Sequence, residues 1–417
     1  MLICRFSIFM LCVASLLLTP TMNFAADKST ADKNAPEAAR LVKVLNSDAD
    51  TYDKAMACRR LAAIGDASSA TAIARYLGDE KLATYARSAL ENIPDQAADK
   101  ALRDALKTVK GNLLVGVINS IGKRQDMEAV DALTPLLSDK NTNVAIAAAH
   151  ALGETGTSEA AKALLLALGK GDAKLQQEVG FACLMCAKSL ANIKDNHLAL
   201  TLVNTVQKMD LPENILLAAT QQSIVLQGKA GLGLLAEQLK SDDLQRFRAG
   251  LQAAQKLGKI SSSTLIETYP RLPEERKALL VAALGTLQAP SALPTVIKAT
   301  SGDSQELKLQ AIFAIGELAP VANDEQKTQA LNSLLALVKQ KDADLAGAAE
   351  TVIVKLNSSQ PSAEIEKRID ASIRKLLESE TRESQLAGIK LAGGCRLSSA
   401  TPVLLQLVNH SNPEVKQ

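Results

Sequence analysis

The chain has 417 residues, of which 47% are hydrophobic but only 2% aromatic, and it contains no tryptophan. A core filled by Leu, Ala, Ile and Val favours closely packed helices over a β-sandwich or barrel, which draws on aromatic and β-branched residues. The formal net charge is +2, from 47 Lys and Arg against 45 Asp and Glu, which is not the charge balance of a nucleic-acid-binding protein. The length exceeds the size at which a single core stops growing and predicts several domains or an elongated repeat array.

The first predicted element is a signal peptide at residues 1–25. Arg5 is followed by the apolar run Phe6–Leu18 and then by the small residue Ala25, which is the order of a secretory signal. The run is too short to cross a bilayer, and no later stretch has about 20 apolar residues without charge, so we expect no stable membrane span. A short uncleaved anchor is the alternative. We predict a flexible linker at residues 26–35 and an exported protein, periplasmic or secreted.

Further along the chain, one kind of helix ending recurs. The segment VAIAAAHALGETG, around Leu152, closes on a small residue, Leu or Ile, and then Gly, and similar endings occur as AAIGD, NSIGK, AALGT and FAIGE. The glycine predicts a left-handed C-cap, and the small residue predicts close approach of neighbouring helices. The spacing varies from 26 to 41 residues and is most often 31. The eleven aligned residues are Ile64, Leu90, Ile121, Leu152, Leu190, Leu226, Leu257, Leu284, Ile315, Leu356 and Leu391.

Another amphipathic helix lies between successive endings, for example Glu128–Asp139 or Glu159–Lys170. A single helix pair cannot bury its own apolar face, so neighbouring pairs must stack into a continuous core. The sequence therefore predicts an all-α fold, an α-solenoid of about eleven helix pairs over residues 36–417. The longer spacings predict insertions or irregular turns at Ile193–Asn214 and Asn357–Ala363.

The last residues predict a helix from Thr401 to Val408 and the opening of a second helix at Pro413. A solenoid normally finishes with a polar capping repeat, and none follows here. We therefore predict that the array is cut off within its last repeat and that the natural polypeptide continues past Gln417.

These helix pairs resemble the HEAT-repeat superfamily, in its short form described as PBS-lyase-like. The resemblance covers roughly residues 36–417 and implies the solenoid fold and use as a scaffold. It implies little about activity, because one fold hosts unrelated functions. The following residues also resemble the pattern of a group of exported bacterial HEAT proteins: Glu80-Lys81-Leu82, Ala86-Arg87, Pro94 and Lys110-Gly111.

Cys183 and Cys186 form the only C-x-x-C of the chain. Alanine follows it where haem attachment needs His, and a second cysteine pair for zinc is missing. Cys186 aligns with Ala148 of the preceding repeat, an inward position, so we predict buried structural cysteines, with a redox or metal role as the alternative. Cys58 and Cys395 are too far apart in the array to form a disulfide.

The three histidines, His150, His197 and His410, lie in different repeats, and none is followed by Glu. The His-Glu pairs of HEAT-like iron hydroxylases are thus absent, and we expect His150 to face solvent near the C-terminal end of its helix. The few, dispersed aromatic residues argue against base excision. No phosphate-binding loop or nucleophile motif occurs. We therefore predict no catalytic, cofactor-binding or metal-binding residues.

Basic residues cluster modestly on the predicted second helix of each pair, which lines the concave face in HEAT arrays. They predict a groove for an acidic partner. A solvated face is the alternative, because Asp242, Asp243 and Glu91 interrupt the patch. The candidate partner-binding residues are Arg59, Arg60, Arg87, Arg246 and Arg248.

The function that the sequence favours is a non-catalytic exported scaffold that binds a protein partner on its concave face, with the oligomeric state left open. One alternative is an accessory or lyase-like protein acting on a tetrapyrrole-type ligand, which the PBS-lyase-like resemblance implies. Another is the repeat appendage of an exported enzyme whose catalytic domain lies beyond residue 417.

Overall fold

The computed structural model describes residues 28–359 and 361–407, and these ranges contain helices and turns but no β-strand. The contacts between residues divide the chain into two units, residues 1–198 and 199–417. The predicted signal peptide at residues 1–25 lies outside the described residues.

In the first unit, helices of two layers alternate along the chain. The even-numbered helices α2, α4, α6, α8 and α10 pack side by side in chain order and form the even layer. Of the odd-numbered helices, which form the odd layer, α1, α3 and α5 also pack side by side. The bounds are α1 Lys28–Leu45, α2 Thr51–Ile64, α3 Ala67–Ala74, α4 Ala83–Asn92, α5 Gln96–Ala105, α6 Gly111–Lys123, α7 Val130–Leu133, α8 Thr142–Thr155, α9 Ser158–Ala167 and α10 Ala173–Asn192. The boundary between the units falls within α11, Asn196–Val206.

The second unit repeats this arrangement. Its even-numbered helices, from α12 to α22, pack in chain order, and neighbouring odd-numbered helices such as α19 and α21 pack on each other as well. The bounds are α12 Glu213–Gln227, α13 Leu232–Lys240, α14 Leu244–Leu257, α15 Ser262–Thr268, α16 Glu274–Thr286, α17 Leu293–Ala299, α18 Gln305–Leu318, α19 Asp324–Val338, α20 Ala343–Ser358, α21 Ala363–Leu377, α22 Arg382–Gly394 and α23 Thr401–Leu407.

The eleven aligned residues fall one on each of the eleven even-numbered helices, from Ile64 on α2 to Leu391 on α22. Each odd-numbered helix after α1 follows one such ending, as the predicted pairing requires. Short polar residues start many of the helices. Asp172, for example, accepts a hydrogen bond from the backbone N–H of Leu175 at 2.8 Å and so satisfies one of the free donors of α10. The prediction of an all-α solenoid of helix pairs is confirmed.

The glycine of the repeated ending has a different role from the predicted one. Only Gly258 has a left-handed backbone there, with φ +66°. A Cβ atom on Gly122 would lie 2.9 Å from Cα of Ala151, and one on Gly153 would lie 3.1 Å from Cα of Ala182. These glycines allow one even helix to approach the backbone of the next. In four of the eleven repeats, a residue with a positive φ comes three positions later, at Gln125, Gly156, Lys194 and Gln288.

The predicted helix Glu128–Asp139 is broken. Two 3-10 segments, Met127–Ala129 and Thr134–Ser138, flank the four-residue α7. Pro135 lies at the start of the second segment and has no N–H to donate, so the regular α-helical ladder stops before it.

The prediction of a flexible linker at residues 26–35 is wrong from residue 28 onward, because α1 begins at Lys28. The residues before Pro36 contain Lys and Ala, which favour helix, and no glycine, so the helix extends ahead of the proline.

The longer spacings have two different origins. Helix α11, with 11 residues, makes up half of the segment Ile193–Asn214, and α10 alone has 20 residues. Near the second predicted site, α20 ends at Ser358 and α21 begins at Ala363. At the end of the chain, α23 confirms the predicted helix up to Leu407, and the predicted start at Pro413 lies outside the described residues.

Candidate binding face

A largely buried charged pair of the first unit holds adjacent repeats together. The guanidinium of Arg124 donates to both carboxylate oxygens of Asp99, at 2.5 and 2.8 Å, and only 11% of the arginine side chain is exposed. It also donates to the carbonyl oxygens of Leu90 and Ile93, at 2.7 and 2.8 Å. These carbonyls belong to the end of α4, where no intrahelical donor remains. The pair is therefore structural and offers nothing to a ligand.

Cys183 and Cys186 are fully buried in α10, so the prediction that these two cysteines are buried is confirmed. Burial raises the pKa of the Cys186 thiol to about 12 and raises that of Cys183 as well. A thiol with a raised pKa is a poor nucleophile and a poor metal ligand at neutral pH. Within residues 28–359 and 361–407, no group of three or more His, Cys, Asp or Glu side chains is placed to hold a metal ion.

A groove of about 300 Å³ runs over the even layer between α6, α8 and α10. Helix α8 forms its floor, because five of its fourteen residues are alanine and its neighbours can approach closely. The glycine contacts described above hold the three helices at short distances. The polar lining consists of Asn112 and Asn119 on α6, Asn143 and His150 on α8, and Lys174 and Glu178 on α10.

His150 lies on α8, and its side chain contacts two residues of α10. Its Nε2 atom lies 2.7 Å from Oε2 of Glu178, and its ring meets that of Phe181 edge-on at a centroid distance of 6.0 Å. His150 is partly exposed to solvent, at 37% of its side chain, as expected, but it also has a carboxylate partner that the sequence did not predict. The close packing of α8 on α10 brings the two side chains together.

Exposed aromatic side chains lie on the even layer of the first unit. Tyr52 on α2 is 70% exposed, Tyr85 on α4 is 45% exposed and Phe181 on α10 is 49% exposed. Met56 on α2 is exposed as well. Tyr, Phe, Met and Arg are the residue types that protein interfaces concentrate. The aromatic content of the chain is very low, so this placement marks the layer as a candidate interface.

All five predicted arginines lie on even-numbered helices, but the structure places them in two units. In the first unit, Arg59 is exposed, Arg60 is held by both carboxylate oxygens of Glu37 at 2.9 Å, and Arg87 is half-buried. The guanidinium of Arg87 lies over Gly116 of α6, where a Cβ atom would be 2.4 Å from its Cζ.

The other two arginines lie on α14 in the second unit. Arg246 approaches Glu213 with 3.7 Å between Nε and Oε1, whereas Arg248 is exposed. Asp243, one of the predicted interrupting acids, caps α14 by accepting hydrogen bonds from the backbone N–H groups of Gln245 and Arg246. The five residues thus do not form one set of free cations.

Several acids of the first-unit even layer are engaged with neighbours or half-buried, whereas Asp53 on α2 is exposed. Glu91 accepts hydrogen bonds from Ser120 and from Lys123, both at 2.7 Å. Glu178 is paired with His150, and burial raises the pKa of Glu154.

Three cations of the same layer have no comparable partner. In the described part of the chain, no ion pair involves Arg87, Lys174 or Lys188. The layer therefore presents free positive charge beside exposed aromatic rings. Sequence reasoning missed Lys174 and Phe181, although both lie on the solvent side of an amphipathic helix.

None of the helices between residues 28 and 407, with residue 360 left aside, combines the length and apolar character that a bilayer crossing needs.

A comparison with curated protein sequences gives no significant match. The sequence profile of the family described as HEAT repeats matches residues 111–182, which hold α6 to the first half of α10.

Comparison with solved structures gives helical repeat proteins at low sequence identity. A chain in the complex of Kap95p with RanGDP matches with a TM-score of 0.54 and 11% identity, over 94% of this chain and 62% of that one. Kap121p matches with a TM-score of 0.54 and 12% identity, over 92% of this chain and 48% of that one. The chain therefore spans roughly half to three-fifths of the length of these neighbours. Residues 111–182 are HEAT repeats, and the chain has the α-solenoid fold of HEAT-repeat proteins.

Proposed function

We propose that this protein is a non-catalytic scaffold that binds a protein partner on the even layer of its first unit. The observation that carries the proposal is the exposure of Tyr52, Tyr85 and Phe181 on that one layer. Aromatic rings lose little conformational entropy on binding and bury much apolar area, so they are frequent anchors of protein interfaces. The free cations Arg87 and Lys174 on the same layer would add selectivity for the charge of the partner.

The fold supports this proposal. Stacked helix pairs produce an extended surface that a single globular core does not offer. The Kap95p structure, a neighbour in fold, is that of a protein bound to another protein. We also propose that the even layer is the concave face and that the protein acts outside the cytoplasm, as the signal-like segment Phe6–Leu18 suggests.

The tetrapyrrole alternative finds less support. A large planar ligand needs an enclosed pocket with a broad apolar wall, and small-molecule pockets usually have volumes of about 300–1,000 Å³. The groove between α6, α8 and α10 has about 300 Å³, at the low end of that range, and five of its nine lining residues carry an amide or a charged group. The second alternative, an appendage of an enzyme, concerns residues beyond 417 and is compatible with scaffold binding by the present chain.

Site-specific photocrosslinking tests the proposal. A benzophenone amino acid replaces Tyr85 or Phe181 on the even layer, and Leu166 serves as the control because it is 70% exposed on α9 of the odd layer. We expect one protein, identified by mass spectrometry, to crosslink to both even-layer positions and not to the control position. Equal yields at all three positions, or none at Tyr85 and Phe181, would contradict the proposal.

A further inference from the structure

We infer that the groove between α6, α8 and α10 binds an extended, acidic peptide segment of the partner. The inference rests on the proposed scaffold function and adds the chemistry and conformation of what is bound. It depends on the cations at the groove, on its amide side chains and on the small number of its apolar side chains.

Charge favours an acidic occupant. Glu91, Glu154 and Glu178 are held by neighbouring side chains or half-buried, so the repulsion that they exert on an incoming carboxylate is reduced. Lys174 at the groove and Arg87 one helix away have no ion-pair partner in the described residues. A carboxylate on the peptide can pair with either cation without displacing an existing partner.

The amide groups favour an extended backbone. Asn112, Asn119 and Asn143 line the groove from two adjacent helices. Each amide offers both donors and an acceptor, which matches the N–H and C=O groups that an extended chain presents along its length. A bound helix satisfies its own backbone groups and would need a continuous apolar trough instead. The groove provides only Val115, Ile146 and Ala147 as apolar lining.

The length of the occupant follows from the stacking. Tyr85 on α4 and Phe181 on α10 are three interhelical steps apart, which at about 8–10 Å per step is roughly 24–30 Å. An extended chain rises about 3.3 Å per residue, so about eight residues connect the two rings. The expected ligand is an acidic octapeptide with apolar side chains at its two ends.

Peptide binding tests this inference. Two pools of fluorescein-labelled octapeptides are compared, one with Asp and Glu and one with Lys and Arg at the central positions. Each pool is titrated with the full chain, and binding is followed by fluorescence polarisation. We expect the acidic pool to bind at least tenfold more tightly than the basic pool, and its affinity to fall as salt is raised.

A matched pair of variants localises the effect. Lys174→Glu changes the groove, and Lys162→Glu makes the same charge change at an exposed lysine of α9 on the odd layer. Lys174 lies in the first turn of α10, where an acid suits the helix dipole, so the variant should fold. We expect Lys174→Glu to weaken acidic-pool binding at least tenfold and Lys162→Glu to change it less than twofold.

The outcomes separate the two proposals. Equal binding of both pools, or equal effects of the two variants, would overturn the acidic-peptide inference. If no octapeptide binds while Tyr85 and Phe181 still crosslink to one protein, the occupant is a folded surface and only the scaffold function stands. If neither peptides nor crosslinks are found, both proposals fail.

Discussion

Breaking the Arg124–Asp99 pair should destabilise the first unit well beyond the effect of an ordinary surface substitution. Arg124→Met keeps much of the aliphatic volume but leaves the Asp99 carboxylate, which is 19% exposed, without its partner. Removing one member of a buried ion pair costs about 3–5 kcal/mol, and the residual exposure of Asp99 argues for the lower end, about 3 kcal/mol. The carbonyls of Leu90 and Ile93 lose their donor as well.

For a unit of this size, a loss of about 3 kcal/mol lowers the midpoint of thermal unfolding by roughly 6–12 °C. Calorimetry measures that shift, and hydrogen exchange should show faster exchange in α4 and α5. The control is Arg60→Met, which removes another bidentate arginine, bound to Glu37 but well exposed, and should leave the midpoint nearly unchanged. The double variant Asp99→Leu with Arg124→Met should recover part of the loss, because no buried charge is then left unpaired. Similar midpoints for Arg124→Met and Arg60→Met would refute this reasoning.

Two further changes test the packing and the buried acids. Gly285→Ala places a Cβ atom 3.0 Å from Ala314 and should lower the unfolding midpoint. Gly347→Ala meets nothing within 4 Å and should raise the midpoint, because the better helix propensity of alanine adds up to about 1 kcal/mol to the free energy of unfolding. The opposite order in thermal melts would contradict the close-approach explanation. Burial raises the pKa of Glu154 in the folded state, although the charge of His150 opposes this. The Glu154 carboxyl therefore contributes stability at low pH, and this contribution is lost as pH rises through the raised pKa. Glu154→Gln should therefore stabilise the protein at pH 7 but not at pH 4, and an equal effect at both pH values would count against it.

The repeat architecture could be predicted because the helical period of the apolar residues and the repeated ending, a small residue followed by Leu or Ile and then Gly, are both visible in this one sequence. The role of the glycine could not, because a left-handed cap and a close helix approach both require the same residue. Gly122 and Gly285 meet the backbone of the next even helix, and only the three-dimensional packing distinguishes this from capping.

The candidate site was predictable only in part. All five predicted arginines lie on even-numbered helices, but the partners of Arg60 and Arg246 lie on neighbouring helices and depend on packing. The groove brings together residues from α6, α8 and α10 that are far apart in sequence. Phe181 carried a usable signal, since a large apolar residue on the polar side of α10 departs from the amphipathic pattern.

The contacts between neighbouring helices of the even layer are expected to differ in stiffness. At Gly122 and Gly153, the helix approaches the backbone of the next even helix at Ala151 and Ala182, and among the atoms nearest to these two positions only the Glu154 carboxylate belongs to a flexible side chain. Between α4 and α6, by contrast, the flexible side chain of Arg87 fills the space above Gly116. When a force is applied along the first unit, the contact between α4 and α6 should therefore deform first, while the distances between α6, α8 and α10 that set the width of the groove stay the same.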